Sequence, residues 1–153
     1  MLGASREILA QAIHARYLTD PKDRKPPGDL AMQPWGTLRE DLRESNRQQA
    51  DDIAAKLHQV GYGMLPVTGR DPAPITFTDD DVEAMAEMEH ARWMTERRLA
   101  GWVYDPESDK AHKRTPHLVP YADLPAEVKE QDRAPVRAIL KVLALARFEV
   151  YRL

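Results

Sequence analysis

The sequence predicts a mostly α fold with minor β (α+β), built as two pseudo-symmetric repeats. Each repeat has two long helices, a long loop and short extended segments. Three observations carry this. His14-Ala15-Arg16-Tyr17 recurs as His90-Ala91-Arg92-Trp93. The residues that follow recur in the same order: Pro34-Trp35-x-x-Leu38 and Pro120-Tyr121-x-x-Leu124, Asn46-Arg47 and Asp132-Arg133, Ile53 and Ile139, Leu57 and Leu143. The first pair is offset by 76 positions and all the later ones by 86, which is the pattern of a duplicated unit with one insertion. Finally, both copies open on apolar residues at helical spacing.

The first helix is expected over about Ser5 to Thr19, closed by Asp20-Pro21, because a residue before proline is pushed out of the α region. A Pro-Pro-Gly loop, KDRKPPGDLAMQ, then leads to the Pro34 element. Asn46 reads as an N-cap with Gln49 completing a capping box, so a long helix is expected from about Arg47 to Val60. GYGMLPV after it reads as extended, and ITFT at 75–78 as a further extended piece. In the second copy Thr78 and Asp81 form a capping box with an acidic first turn. Val82, Met85, Ala86, Glu89, Trp93 and Leu99 keep helical spacing, and Gly101 is a natural stop. The polar loop DPESDKAHKRTP carries the insertion. Asp132 as N-cap places Pro135 in a first turn, where its missing N–H matters little, and predicts a helix from about Arg133 to Ala146. RFEVYRL closes the chain as an extended tail. The organisation expected is a first repeat over 1–67, a linker over 68–77 and a second repeat over 78–153, together one unit.

Composition narrows the function. The 153 residues suit one domain or two very small ones. No cysteine is present, which leaves no disulfide framework and no thiol nucleophile or thiolate ligand. A net charge of −3 with interspersed signs argues against a phosphate-backbone binder, so no nucleic-acid partner is expected. The most apolar stretch, from Ile139 to Val150, is too short to span a bilayer and holds Lys141 and Arg147. No membrane insertion is expected, and a cytoplasmic location is the simplest expectation. His112, His117, Asp105 and Asp109 cluster loosely but match no metal-ligand spacing; no metal site and no cofactor are expected. No P-loop, GxGxxG or nucleophile elbow occurs.

The second copy resembles the ryanodine receptor repeat, or RyR domain. The resemblance rests on His90 and Trp93, then Gly101-Trp102-x-Tyr104, Lys113, Pro116-x-Leu118-Val119-Pro120-Tyr121, Leu124-Pro125 and Asp132-Arg133. It covers about 70 residues. The first copy lacks the Gly-Trp-x-Tyr element and reads as a degenerate repeat of a prokaryotic-type tandem pair. Asp105 stands where the family usually has Gly, and Thr115 where it often has His. The resemblance implies a regulatory module with no settled enzymatic activity. In at least one tandem pair of the family, a crevice between repeats looks like an adenine-nucleotide or small-molecule site.

His and the aromatic stand at i and i+3 and share one helix face. On the ligand-sensing reading, His14, Tyr17, His90 and Trp93 face a flat base in an inter-repeat crevice. Arg97, one turn beyond Trp93, holds a phosphate, with Arg16 and Arg92 as alternatives; Arg47 and Arg133 open helices whose N-termini favour anions, and Asn46 and Asp132, where not used up as caps, read a ribose or base edge. No residue is singled out as catalytic. On the plainer reading, Trp and Tyr are core and the two histidines hydrogen-bond loop carbonyls that lock each repeat. The functions in view are a non-enzymatic sensor of an adenine nucleotide or nucleotide-derived signal, then a protein-interaction or scaffold module of a larger regulatory protein. A nucleotide hydrolase or transferase comes third.

Overall fold

In the computed structural model, which describes residues 3–19, 25–71 and 74–153, the chain is mostly α with minor β. It divides into two compact units. One holds residues 1–76 together with 138–153, the other residues 77–137. The segment 138–153, read in the sequence as the end of the second repeat, thus packs within the first unit.

In the first unit, α1 (Gly3–Thr19) packs on α2 (Glu40–Gln59) and on α5 (Ile139–Leu145). Leu9, Ala10, Leu38, Ala50, Leu57, Ile139 and Leu143 are buried and make up much of its core. The expected extended tails are β1 (Tyr62–Pro66) and β4 (Phe148–Arg152), and they pair antiparallel. The register runs from Tyr62↔Arg152 to Pro66↔Phe148, centred on Met64↔Val150. Each strand is launched by a residue in the left-handed region, Gly61 (φ 87°) and Arg147 (φ 61°). Gly63 lies under the Tyr151 ring, where a Cβ would meet that ring at 2.5 Å, so any side chain there requires the ring to move aside.

The second unit is built on α3 (Asp79–Leu99), which packs against α4 (Ala126–Arg137). The Thr78–Asp81 capping box forms in both directions, at 3.1 and 3.0 Å. At the far end Gly101 takes φ 91°, and the Lys113 ammonium donates to the Ala100 carbonyl at 2.7 Å, so a cation sits at the negative end of the helix dipole. Between the helices, β2 (Val103–Tyr104) and β3 (Arg114–Thr115) form a two-residue parallel pair.

Two expectations are corrected. Asn46 and Asp132 are not N-caps, Gln49 completes no capping box, and Arg47 and Arg133 do not open helices; all lie inside α2 and α4. The run from Glu40 holds no helix breaker and starts with two acids, so α2 begins upstream, and Asn46 donates to the Leu42 carbonyl one turn back. Likewise α4 begins beside Pro125, whose carbonyl accepts from the Val128 and Lys129 N–H groups. Pro135 is therefore in a helix interior, which costs about 3 kcal/mol. Its neighbour Val136 is fully buried, and burying a valine returns roughly 1.5–3 kcal/mol. The helical run then breaks, and the single helix expected over 133–146 is two, α4 and α5. The ITFT piece pairs with no strand among the described residues, and its last residue, Thr78, is extended and serves as the α3 cap. The Asp20-Pro21 helix stop lies outside the described residues.

Candidate functional site

Helical spacing on α3 aligns His90, Trp93 and Arg97. The His90 and Trp93 rings stack with centroids 5.6 Å apart and planes 18° apart. The Arg97 guanidinium lies 5.5 Å from the Trp93 ring and 5.3 Å from the Trp102 ring, so the α3 face continues into the loop as alternating rings and cation. His90 is buried. Its Nε2 is 2.7 Å from the Val119 carbonyl, and because a carbonyl only accepts, Nε2 carries the hydrogen. Its Nδ1 faces the Asp132 carboxylate at 3.5 Å. This ties α3 to both the loop and α4.

Beside this strut is a cleft of about 210 Å³, contained within the second unit. It is lined by Glu89, His90, Trp93, His117, Val128, Gln131 and Asp132. Of the residues singled out in the sequence, His90, Trp93 and Asp132 meet there, with Arg97 on the Trp93 ring. Glu89, Val128 and Gln131 were not anticipated. With α4 starting at Ala126, Val128, Gln131 and Asp132 fall at i, i+3 and i+4 on one face, a pattern that a helix start at Asp132 conceals. His117 lies on this cleft, while Asp105, Asp109 and His112 line a separate loop cavity of about 300 Å³. Among the described residues no group of three His, Asp or Glu side chains is placed to hold a metal ion.

Arg133 is held elsewhere. It bonds Glu83, which also accepts from the Tyr121 hydroxyl at 3.0 Å. The Arg133 bond keeps the Glu83 carboxyl below its ordinary value of 4.5, and burial, reinforced by Glu83, pushes the Tyr121 phenol up.

In the first unit, His14 Nε2 donates to the Gln33 carbonyl at 2.6 Å. The His14 ring stacks on Tyr17 (6.2 Å, 21°) and tilts against Trp35 (6.1 Å, 54°). Lys25 lies 5.8 Å from the Tyr17 ring. Arg47 bonds Glu7, Glu40 and Glu44 at 2.8, 2.6 and 3.2 Å, and its guanidinium is 5.8 Å from the Trp35 ring. Arg47 and Arg133, two of the arginines expected to receive an anion, are thus committed to carboxylates. Asn46 is buried and back-bonded, so it presents no edge to a ribose.

Glu7, Glu44 and Glu83 all have carboxyls held below the ordinary 4.5, by Arg47, Arg6 and Arg133 respectively as the leading causes. A depressed folded-state value means stabilisation that is present above the unfolded value and lost as pH falls through the folded one. The melting temperature is expected to fall steadily as pH drops below about 4.5. Glu83→Gln and Glu7→Gln should each flatten that slope, and added salt should shrink it, since these side chains are over a third exposed. Thermal melts from pH 6 to 3 test this.

A family model described as the RyR domain matches residues 76–152. The match takes in α3, the loop, α4, α5 and β4, and therefore every residue that lines the cleft.

Proposed function

The chain belongs to the RyR domain family, and on that premise we propose that it is a regulatory, non-enzymatic ligand-sensing module of the cytoplasm. Its cleft takes the flat base of an adenine nucleotide or nucleotide-derived signal against Trp93. The observation that carries this is the cleft itself. An indole, two imidazoles, an amide and two carboxylates converge within the family-matched segment on a concavity sized for a ring system. Catalysis by the His90–Asp132 pair fits less well. In a hydrolytic dyad the imidazole nitrogen away from the carboxylate faces the substrate, and here that nitrogen is held by Val119.

The same proposal takes the chain as a tandem pair of repeats with a degenerate first copy. Matched local chemistry supports it. His14 and His90, 76 residues apart, each bond a carbonyl, of Gln33 and Val119, which keep the 86-residue offset of the later matches. The Glu7–Arg47 pair has its counterpart in Glu83–Arg133, and Leu38, Ala50 and Leu57 are buried like Leu124, Val136 and Leu143. Gly61 and Arg147 share the left-handed region, and β1 and β4 pair about Met64 and Val150, which are themselves 86 apart.

Calorimetry of the chain against ATP, ADP, ADP-ribose and cyclic nucleotides tests the ligand reading. Stacking on an aromatic contributes about 1–3 kcal/mol per base, so Trp93→Ala should weaken the binder found by about five- to 150-fold with circular dichroism unchanged. Silence across the panel, or a Trp93→Ala variant that binds as before, sinks it. An interaction-module reading is favoured by one observation, the exposed apolar group of Leu99 (85% exposed), Val103 and Tyr104 on the second unit. A nucleotide-blind chain that loses a defined protein partner on Leu99→Glu would select that reading instead.

A further inference from the structure

We infer that the cleft reads the amino-bearing edge of an aminopurine base and leaves the phosphates outside. The inference rests on the ligand reading above and concerns how that ligand is chosen. The cleft wall contains two carboxylates, Glu89 and Asp132, whose side chains are only 15% and 14% exposed, and no Lys or Arg. The cations nearby are engaged: Arg92 grips Glu89 and Glu96, and Arg97 lies across the Trp93 and Trp102 rings. A phosphate placed there is repelled, chiefly by Asp132, since Arg92 offsets the charge of Glu89, and partial desolvation strengthens the Coulomb interaction. An amino group in the same place is attracted, since an ionised carboxylate is acceptor-only and bonds N–H donors with charge assistance. Each carboxylate has two oxygens and about four lone-pair directions, so Asp132 beside His90 and Glu89 beside Arg92 are groups able to accept from more than one donor at a time.

Size points the same way. At about 210 Å³ the cleft is below the roughly 300 Å³ at which pockets begin to enclose whole drug-sized ligands, so it receives a head group while the rest stays in solvent. Trp93 supplies the flat wall, and the Gln131 amide supplies an N–H for a ring nitrogen beside the amino group. Adenine presents that donor–acceptor edge. Hypoxanthine has the same shape but turns an oxygen toward the carboxylates.

The experiment is calorimetry of the full chain with adenosine, ATP and inosine. ATP is expected within about threefold of adenosine. Inosine is expected about tenfold to a hundredfold weaker, the range for loss of one hydrogen bond to a charged group. Asp132→Asn and, independently, Glu89→Gln should narrow the gap between adenosine and inosine, because an amide can donate to the inosine oxygen. Two variants are used so that poor folding of one leaves the other decisive. Equal affinity for inosine and adenosine overturns the edge-reading, and ATP tighter than adenosine by tenfold or more overturns the exclusion of phosphate. Both outcomes leave nucleotide sensing in place. Absence of binding by all three overturns the inference together with the reading on which it rests.

Discussion

His90→Ala is expected to lower the unfolding free energy by about 2–4 kcal/mol, far more than an exposed histidine would cost. The ring is only 2% exposed, so its removal opens a hole beneath Trp93 and Tyr121. It also strips the Val119 carbonyl of its donor, and a buried acceptor without one costs about 1–3 kcal/mol. His14→Ala should behave alike in the other unit through the Gln33 carbonyl. Urea denaturation measures both. His90→Gln, which can still offer an N–H, should recover part of the loss. A cost below about 0.5 kcal/mol for His90→Ala, the level of an ordinary surface change, would show that the imidazole does not hold the loop to α3.

Leu143→Ala should cost about 2–5 kcal/mol, and its effect should be felt at the other end of the chain. Leu143 is 1% exposed on α5, and α5 packs on α1. Because residues 138–153 complete the first unit, local opening there should strip amide-exchange protection from α1 around Leu9 and Ala10 while sparing α3. Loss of protection on α3 with α1 unchanged would contradict that assignment of α5.

The site was legible in the sequence only where its chemistry is periodic on one helix. His90 and Trp93 are three residues apart and α3 has unambiguous ends, so their shared face could be written down at once. Asp132 stands out as well, as a reader of a ribose or base edge and as an N-cap, and the structure corrects the cap. As a supposed cap it pointed to a helix start, and as an interior residue of α4 it faces His90 and the cleft. Glu89 and Gln131 gave no separate signal, since acids and amides on exposed helix faces are common. The plainer reading of the histidines as locks on loop carbonyls matches the bonds each one makes.

What this sequence determined by itself is whatever depends on bonds between near neighbours. The Thr78–Asp81 capping box, the Gly101 stop and the extended character of 62–66 and 148–152 all follow from chemistry within four residues. Tertiary structure alone decided where competing local signals lose. Asn46 and Asp132 have cap chemistry, but helices run through them: Asn46 is buried and bonds back to the Leu42 carbonyl, and Asp132 is turned toward His90 of α3. Tertiary structure alone also joined β1 to β4 across more than eighty residues and drew 138–153 into the first unit. Strand partners are selected by which apolar faces can be buried together, and that is a property of the packed chain, which no short window of sequence contains.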